Sequence, residues 1–137
     1  MKKVIIAALA LCLSIAVQAQ EEPIKIVFDV TSENPEVHKS AARHLKLMSE
    51  SYPDSEFEMV IYSGAYKMVD KNTSVARETL EEVVKKDNVS VVVCSFTLKR
   101  QEKTVEDLIP GITTVPDGIY EIVMRQKQGW GYIKEVK

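Results

Sequence analysis

The chain has 137 residues, 45% of them hydrophobic and 28% charged, with a formal net charge of −2 and a pI near 5.7. That describes one ordinary globular domain, with too few glycines, prolines and cysteines for a collagen-like, disordered or disulfide-stapled chain. A mildly acidic protein with few aromatics also lacks the basic stripe and the stacking platform of a nucleic-acid binder.

Met1-Lys2-Lys3 precedes an apolar run from Val4 to Val17, and Val17-Gln18-Ala19 supplies small residues at a cleavage position. This is the pattern of a secretory signal peptide over residues 1–19, followed by one domain over 20–137. The expected compartment is the periplasm or the exterior, with no stable membrane span after cleavage. Cleavage removes Lys2, Lys3 and Cys12, so the mature chain is more acidic than the whole and keeps a single thiol, Cys94. An odd cysteine in an exported protein is an intermolecular partner, a reactive thiol or a buried structural residue.

Residues 24–31 alternate in part and are β-branched, as in a strand. Asn34-Pro35 opens a helix, with Val37, Ala41, Leu45, Met48 and Tyr52 along one face. Residues 57–62 form a second strand. Thr73 is a candidate cap for a second helix with Ala76, Leu80, Val83 and Val84 inward and Glu81–Lys85 and Glu82–Lys86 as pairs four apart. Val89 to Val93 is a strand covered on both faces. A helix follows over 95–103, then a short turn of helix at 104–108 and a strand over 112–115. The last helix begins at Pro116-Asp117-Gly118 with Ile119, Ile122 and Val123 inward, ends at Gly129, and leads into a strand over 130–136. Strands alternating with helices imply crossover connections and a mostly parallel sheet with helices on both faces.

In such sheets ligands gather at the carboxyl ends of the strands. Cys94 ends the valine run at a strand-to-helix junction, where free backbone N–H groups favour thiolate, the form that reacts in sulfur transfer, disulfide exchange and acyl transfer. The competing reading is a small buried hydrophobe. Thr97, Lys99 and Arg100 follow on the same helix as supporting residues, the two cations adding positive potential. After the second strand, Gly64 offers a close backbone approach and Lys67 a positive charge for an anion. His38 near Cys94 would make a Cys–His hydrolase. His38 and His44, six apart, share no helical face for a metal, and no cysteine cluster supports zinc.

Val93-Cys94-Ser95-Phe96-Thr97-Leu98-Lys99-Arg100 resembles the cysteine motif of the DsrE/DsrF-like sulfur-relay family. Glu106-Asp107-Leu108-Ile109-Pro110-Gly111, Val115-Pro116-Asp117-Gly118 and Gln128-Gly129-Trp130-Gly131-Tyr132-Ile133-Lys134 resemble its exported branch, as does the opening Lys25-Ile26-Val27-Phe28-Asp29-Val30. The resemblance implies a YchN-like α/β fold: a three-layer αβα arrangement on a five-stranded sheet, mostly parallel, with an antiparallel last strand. It implies a homo-oligomer, trimer or hexamer, with the site near a protomer boundary. It also implies a persulfide on Cys94 exchanged with a sulfur donor or acceptor protein, with no cofactor, metal or nucleic acid. The alternative is a non-catalytic oligomeric module with a ligand or partner cleft between protomers.

Overall fold

The computed structural model describes residues 22–136. The leader expected over residues 1–19 lies outside them. Nine regular elements follow in order: β1 (Lys25–Val30), α1 (Pro35–Ser51), β2 (Glu56–Ile61), α2 (Arg77–Val83), β3 (Val89–Cys94), α3 (Ser95–Arg100), β4 (Thr113–Val115), α4 (Gly118–Lys127) and β5 (Gly131–Glu135). Short 3-10 segments at Ser63–Met68 and Val105–Asp107 fill two of the connections.

The sheet order is β4-β3-β2-β1-β5. From β1 to β4 the chain steps in one direction, so crossovers of one hand place α1, α2 and α3 on the same face. The connection from β4 to β5 steps back across the whole sheet, and the same rule puts α4 on the opposite face. The side chains agree: Val37, Ala41 and Leu45 of α1, Leu80 and Val83 of α2 and Leu98 of α3 pack with Phe28, Phe57, Met59 and Val91. Ile122 of α4 packs with Val27, Val60 and Val92 on the other side. The result is three layers, αβα.

All five strands are parallel. β5 pairs with β1 in the register Ile26↔Gly131, Phe28↔Ile133 and Val30↔Glu135, so the expectation of an antiparallel last strand is corrected. The reason is α4, which carries the chain from the carboxyl edge back to the amino edge before β5 begins. A strand entered from that edge runs the same way as β1.

Local chemistry fixes several boundaries. Asn34 caps α1, its Oδ1 accepting from the Glu36 N–H at 2.9 Å, with Pro35 in the first turn. Asp117 caps α4, its Oδ1 accepting from the N–H groups of Ile119 at 2.9 Å and Tyr120 at 3.2 Å. Thr73 does not cap α2, which starts at Arg77. The Ser74 hydroxyl donates to the Met68 carbonyl and accepts from the Ala76 N–H, and Asp70 Oδ1 accepts from the Asn72 N–H, so residues 70–76 are held as turns. The expected pairs inside α2 are replaced by pairs to other partners. Glu82 meets Lys46 of α1 at 2.7 Å, Lys86 faces Glu50 at 3.8 Å, and Glu81 takes Arg77 at 2.7 Å.

Candidate functional site

Cys94 is the last residue of β3 and lies beside Val115 of β4. After β3 the chain turns to α3 on the first face, and after β4 it turns to α4 on the second. The carboxyl ends of these two neighbours therefore form the crevice where parallel sheets place ligands. The Cys94 side chain shares the parity of Val92 and so belongs to the α4 face. Its Sγ lies 4.0 Å from the Pro116 carbonyl oxygen, and the residue is only 6% exposed.

What covers the thiol is the turn into α4. A Cβ on Gly118 would stand 3.2 Å from Cys94 Cβ and 3.3 Å from both Tyr62 Cδ1 and Val60 Cγ1. Glycine is what lets the first turn of α4 lie this close to the sheet. Cys94 is thus fenced by Val115 on one side, by the residue 116–118 turn above it, and by the Tyr62 ring near the same point as the turn.

The supporting residues divide into two groups. Thr97 is buried on α3 and its Oγ1 accepts from the Ser63 N–H at 3.0 Å, tying the end of β2 to α3. Lys99 and Arg100 form the exposed last turn of α3, which packs on the face opposite the Cys94 side chain, so the positive potential expected from them is not brought to the thiol. Gly64 and Lys67 sit on the 3-10 segment against the β1–α1 loop. The space above Gly64 is taken by Glu33, whose Cβ would be 2.9 Å from an added Cβ, and Lys67 Nζ lies 3.9 Å from Glu33 Oε2. The close approach expected there for an anion is made by the protein's own acidic loop. This group faces α1, away from the Cys94 side chain.

His38 belongs with that second group. It is buried, with Nε2 2.7 Å from the Ser32 carbonyl oxygen, so the proton of the neutral ring is on Nε2. Burial lowers its pKa; the Ser32 bond raises it in part and nearby Lys67 lowers it further. It lies on the α1 face, and the Cys–His arrangement of a hydrolase is not formed. His44 instead binds β5, its Nδ1 2.9 Å from Oε1 of buried Glu135.

Two polar clusters on the α4 face went unnoticed in the sequence. The first surrounds buried Asp29. Tyr132 donates its hydroxyl to Asp29 Oδ2 at 2.6 Å, and Lys134 Nζ donates to Asp29 Oδ1 at 3.0 Å and to Thr31 Oγ1 at 2.8 Å. Lys134 Nζ also lies 5.7 Å from the Tyr62 ring centroid. Burial, then the Asp29 carboxylate, push the Tyr62 hydroxyl up to about 12, and the hydrogen bond to Asp29 does the same for Tyr132. Parity along β1 and β5 was a signal for this cluster, but only the parallel register sets Asp29 opposite Lys134.

The second cluster bolts α4 to the sheet. Arg125 grips buried Glu58 with Nε to Oε1 at 2.9 Å and Nη2 to Oε2 at 2.7 Å, and also meets Glu121 at 2.9 Å. Its guanidinium lies 4.8 Å from the Trp130 ring centroid. Burial pushes the Glu58 carboxyl up while the Arg125 fork pulls it back, and the net direction is upward. Of the residues expected inward on α4, Ile122 is buried but Ile119 and Val123 are exposed, because the inward stripe is Gly118, Ile122 and the charged Arg125.

Among the described residues no group of three histidine, cysteine or acidic side chains is placed to hold a metal, and no helix is long and apolar enough to cross a membrane.

No family model matches the chain, and no curated relative matches it. Solved structures do. A protein of unknown function from Methanobacterium thermoautotrophicum superposes with a TM-score of 0.74 at 23% identity, covering 81% of this chain and 98% of its own. A conserved protein of unknown function from Bacteroides thetaiotaomicron gives 0.66 at 16% identity, covering 80% and 93%. The YchN protein of E. coli gives 0.66 at 15% identity, covering 82% and 97%. The fold is therefore the YchN-like α/β fold, which these likenesses show without assigning an activity.

Proposed function

We propose that this protein is an exported member of the DsrE/DsrF-like family that carries sulfur as a persulfide on Cys94. The observation that supports this reading is the position of Cys94, the single thiol left after leader cleavage, in the crevice where the β3 and β4 connections part to opposite faces. The chemistry needs no cofactor. The Cys94 thiolate attacks the outer sulfur of a donor persulfide, forming Cys94–S–SH and releasing the donor thiolate. An acceptor thiolate then attacks that outer sulfur and returns Cys94 as thiolate. Because the residue 116–118 turn covers the thiol, turnover requires that turn or the Tyr62 ring to move.

The test is intact-mass spectrometry of the mature protein after incubation with a small-molecule persulfide. One added sulfur, absent in Cys94→Ser, is the expected result. A folded protein that gains none overturns the reading. Gly118→Ala, which presses a methyl against Cys94, is expected to slow the gain without abolishing the fold.

A second reading is a non-catalytic oligomeric module with its cleft at a protomer boundary. It is favoured by the outer side of α4, where Ile119, Tyr120 and Val123 are all more than half exposed. Such a helix side suits contact with a second copy. This reading expects Cys94→Ser to keep assembly and Tyr120→Glu with Val123→Glu to lose it, as measured by sedimentation. Cys94-dependent sulfur uptake would set it aside.

A further inference from the structure

The Asp29 cluster lies on the same face as Cys94 and shares one residue with its fence, Tyr62. Of the groups that enclose the thiol, Val115 is held in β4 by its backbone and Gly118 by the cap on α4. Tyr62 stands one residue beyond the end of β2, so its ring moves by side-chain rotation alone. Two groups oppose that rotation: the Asp29 carboxylate, which the Tyr62 hydroxyl reaches as a hydrogen-bond partner, and the Lys134 ammonium. Lys134 is fixed by Asp29 and Thr31 and presents its ammonium to the ring at 5.7 Å. Asp29 is itself fixed by the Tyr132 hydroxyl. Four segments, β1, the end of β2, the β4–α4 turn and β5, thus converge on one aromatic ring beside the only thiol of residues 22–136.

We propose that Tyr62 is the movable wall of the Cys94 site and that Lys134, set by Asp29 and Thr31, is the positioning residue that latches it closed. The latch concerns the cysteine of the sulfur-carrier reading and regulates its access, but it is tested without any sulfur transfer. A cation over an aromatic face is a modest attraction, so its loss changes the open fraction by a few-fold rather than by orders of magnitude. Rotation of the ring away from Gly118 exposes the thiol on the α4 face, where an incoming reagent approaches between the Tyr62 position and the start of α4.

The experiment is the rate at which iodoacetamide alkylates Cys94 in the folded mature protein. Lys134→Met is expected to raise the rate about two- to fivefold, and Lys134→Arg, which keeps a cation over the ring, to restore it. Tyr62→Ala removes the wall and is expected to give the largest increase. His44→Gln loosens β5 from its other face and is expected to leave the rate unchanged, which separates a latch from a general weakening of that strand. If Lys134→Met does not fold, Thr31→Val removes one of the two bonds that aim the ammonium and is expected to give a smaller increase. Equal rates in wild type, Lys134→Met and Tyr62→Ala overturn the proposal, as does an equal increase in His44→Gln. Failure of Cys94 to take up sulfur would instead count against the carrier reading and leave these rates as they are.

Discussion

The two faces of the sheet are built on different principles. The α1–α3 face is a broad apolar layer in which Phe28, Phe57, Met59, Leu45 and Leu80 are almost wholly removed from water, with buried His38 and Glu135 toward the carboxyl ends of the strands. The α4 face has four buried apolar residues, Val27, Val60, Val92 and Ile122, and between them it buries two carboxylates, Asp29 and Glu58. One helix covers it, and that helix keeps Ile119, Tyr120 and Val123 in solvent. The first face supplies the hydrophobic stabilisation of the fold. The second is thin, charged and incompletely covered, and it carries the thiol.

This contrast predicts different costs for damage on each side. Phe28→Ala on the first face removes a large side chain from a packed layer with no room to collapse, and a loss of about 3–5 kcal/mol is expected in urea unfolding. A loss below about 1 kcal/mol would mean that the first face is not the main core. On the second face, Glu58→Ala leaves Arg125 half-buried without its fork partner, and a loss of about 3 kcal/mol is expected. The double change Glu58→Leu with Arg125→Met replaces the pair by apolar groups and is expected to recover most of that loss. Recovery would show that the pair specifies where α4 sits more than it stabilises the domain. No recovery would make the second face as dependent on its charges as the first is on its apolar layer.

The same contrast explains what was legible in the residues. On the first face the apolar pattern works because the floor is apolar. Val37, Ala41 and Leu45 point inward at the spacing that announced them, and Asn34-Pro35 starts α1 where the cap chemistry said it would. On the second face the pattern fails because the floor contains Glu58. Arg125 turns inward to meet it, and Ile119 and Val123 are left outside. Short-range competition hid the start of α2, where Ser74 and Asp70 hold the backbone in turns before Arg77. Cys94 was legible because a valine run ends on it. The Asp29–Lys134 pair was not, since its partners lie 105 residues apart and meet only through the parallel register of β5 on β1.

The smallest effect expected is a pH dependence, and it also separates the faces. The second face buries charges in pairs; the first, besides the buried Glu135 carboxylate that His44 meets, buries His38 as a neutral ring donating Nε2–H to the Ser32 carbonyl oxygen at 2.7 Å. Burial, opposed in part by the Ser32 bond and reinforced by the charge of Lys67, lowers the folded value below the ordinary 6.5. The unfolded chain therefore takes up a proton at a higher pH than the folded one. The stability contributed by neutral His38 is present above about 6.5 and is lost as the pH falls through the folded value. His38→Gln keeps a donor for Ser32 but does not titrate. Urea midpoints measured at about pH 8 and about pH 5 are expected to converge for this variant relative to wild type. If wild type and His38→Gln lose the same stability on acidification, the acid sensitivity belongs to other groups, and neutral His38 is not what ties the first face to pH.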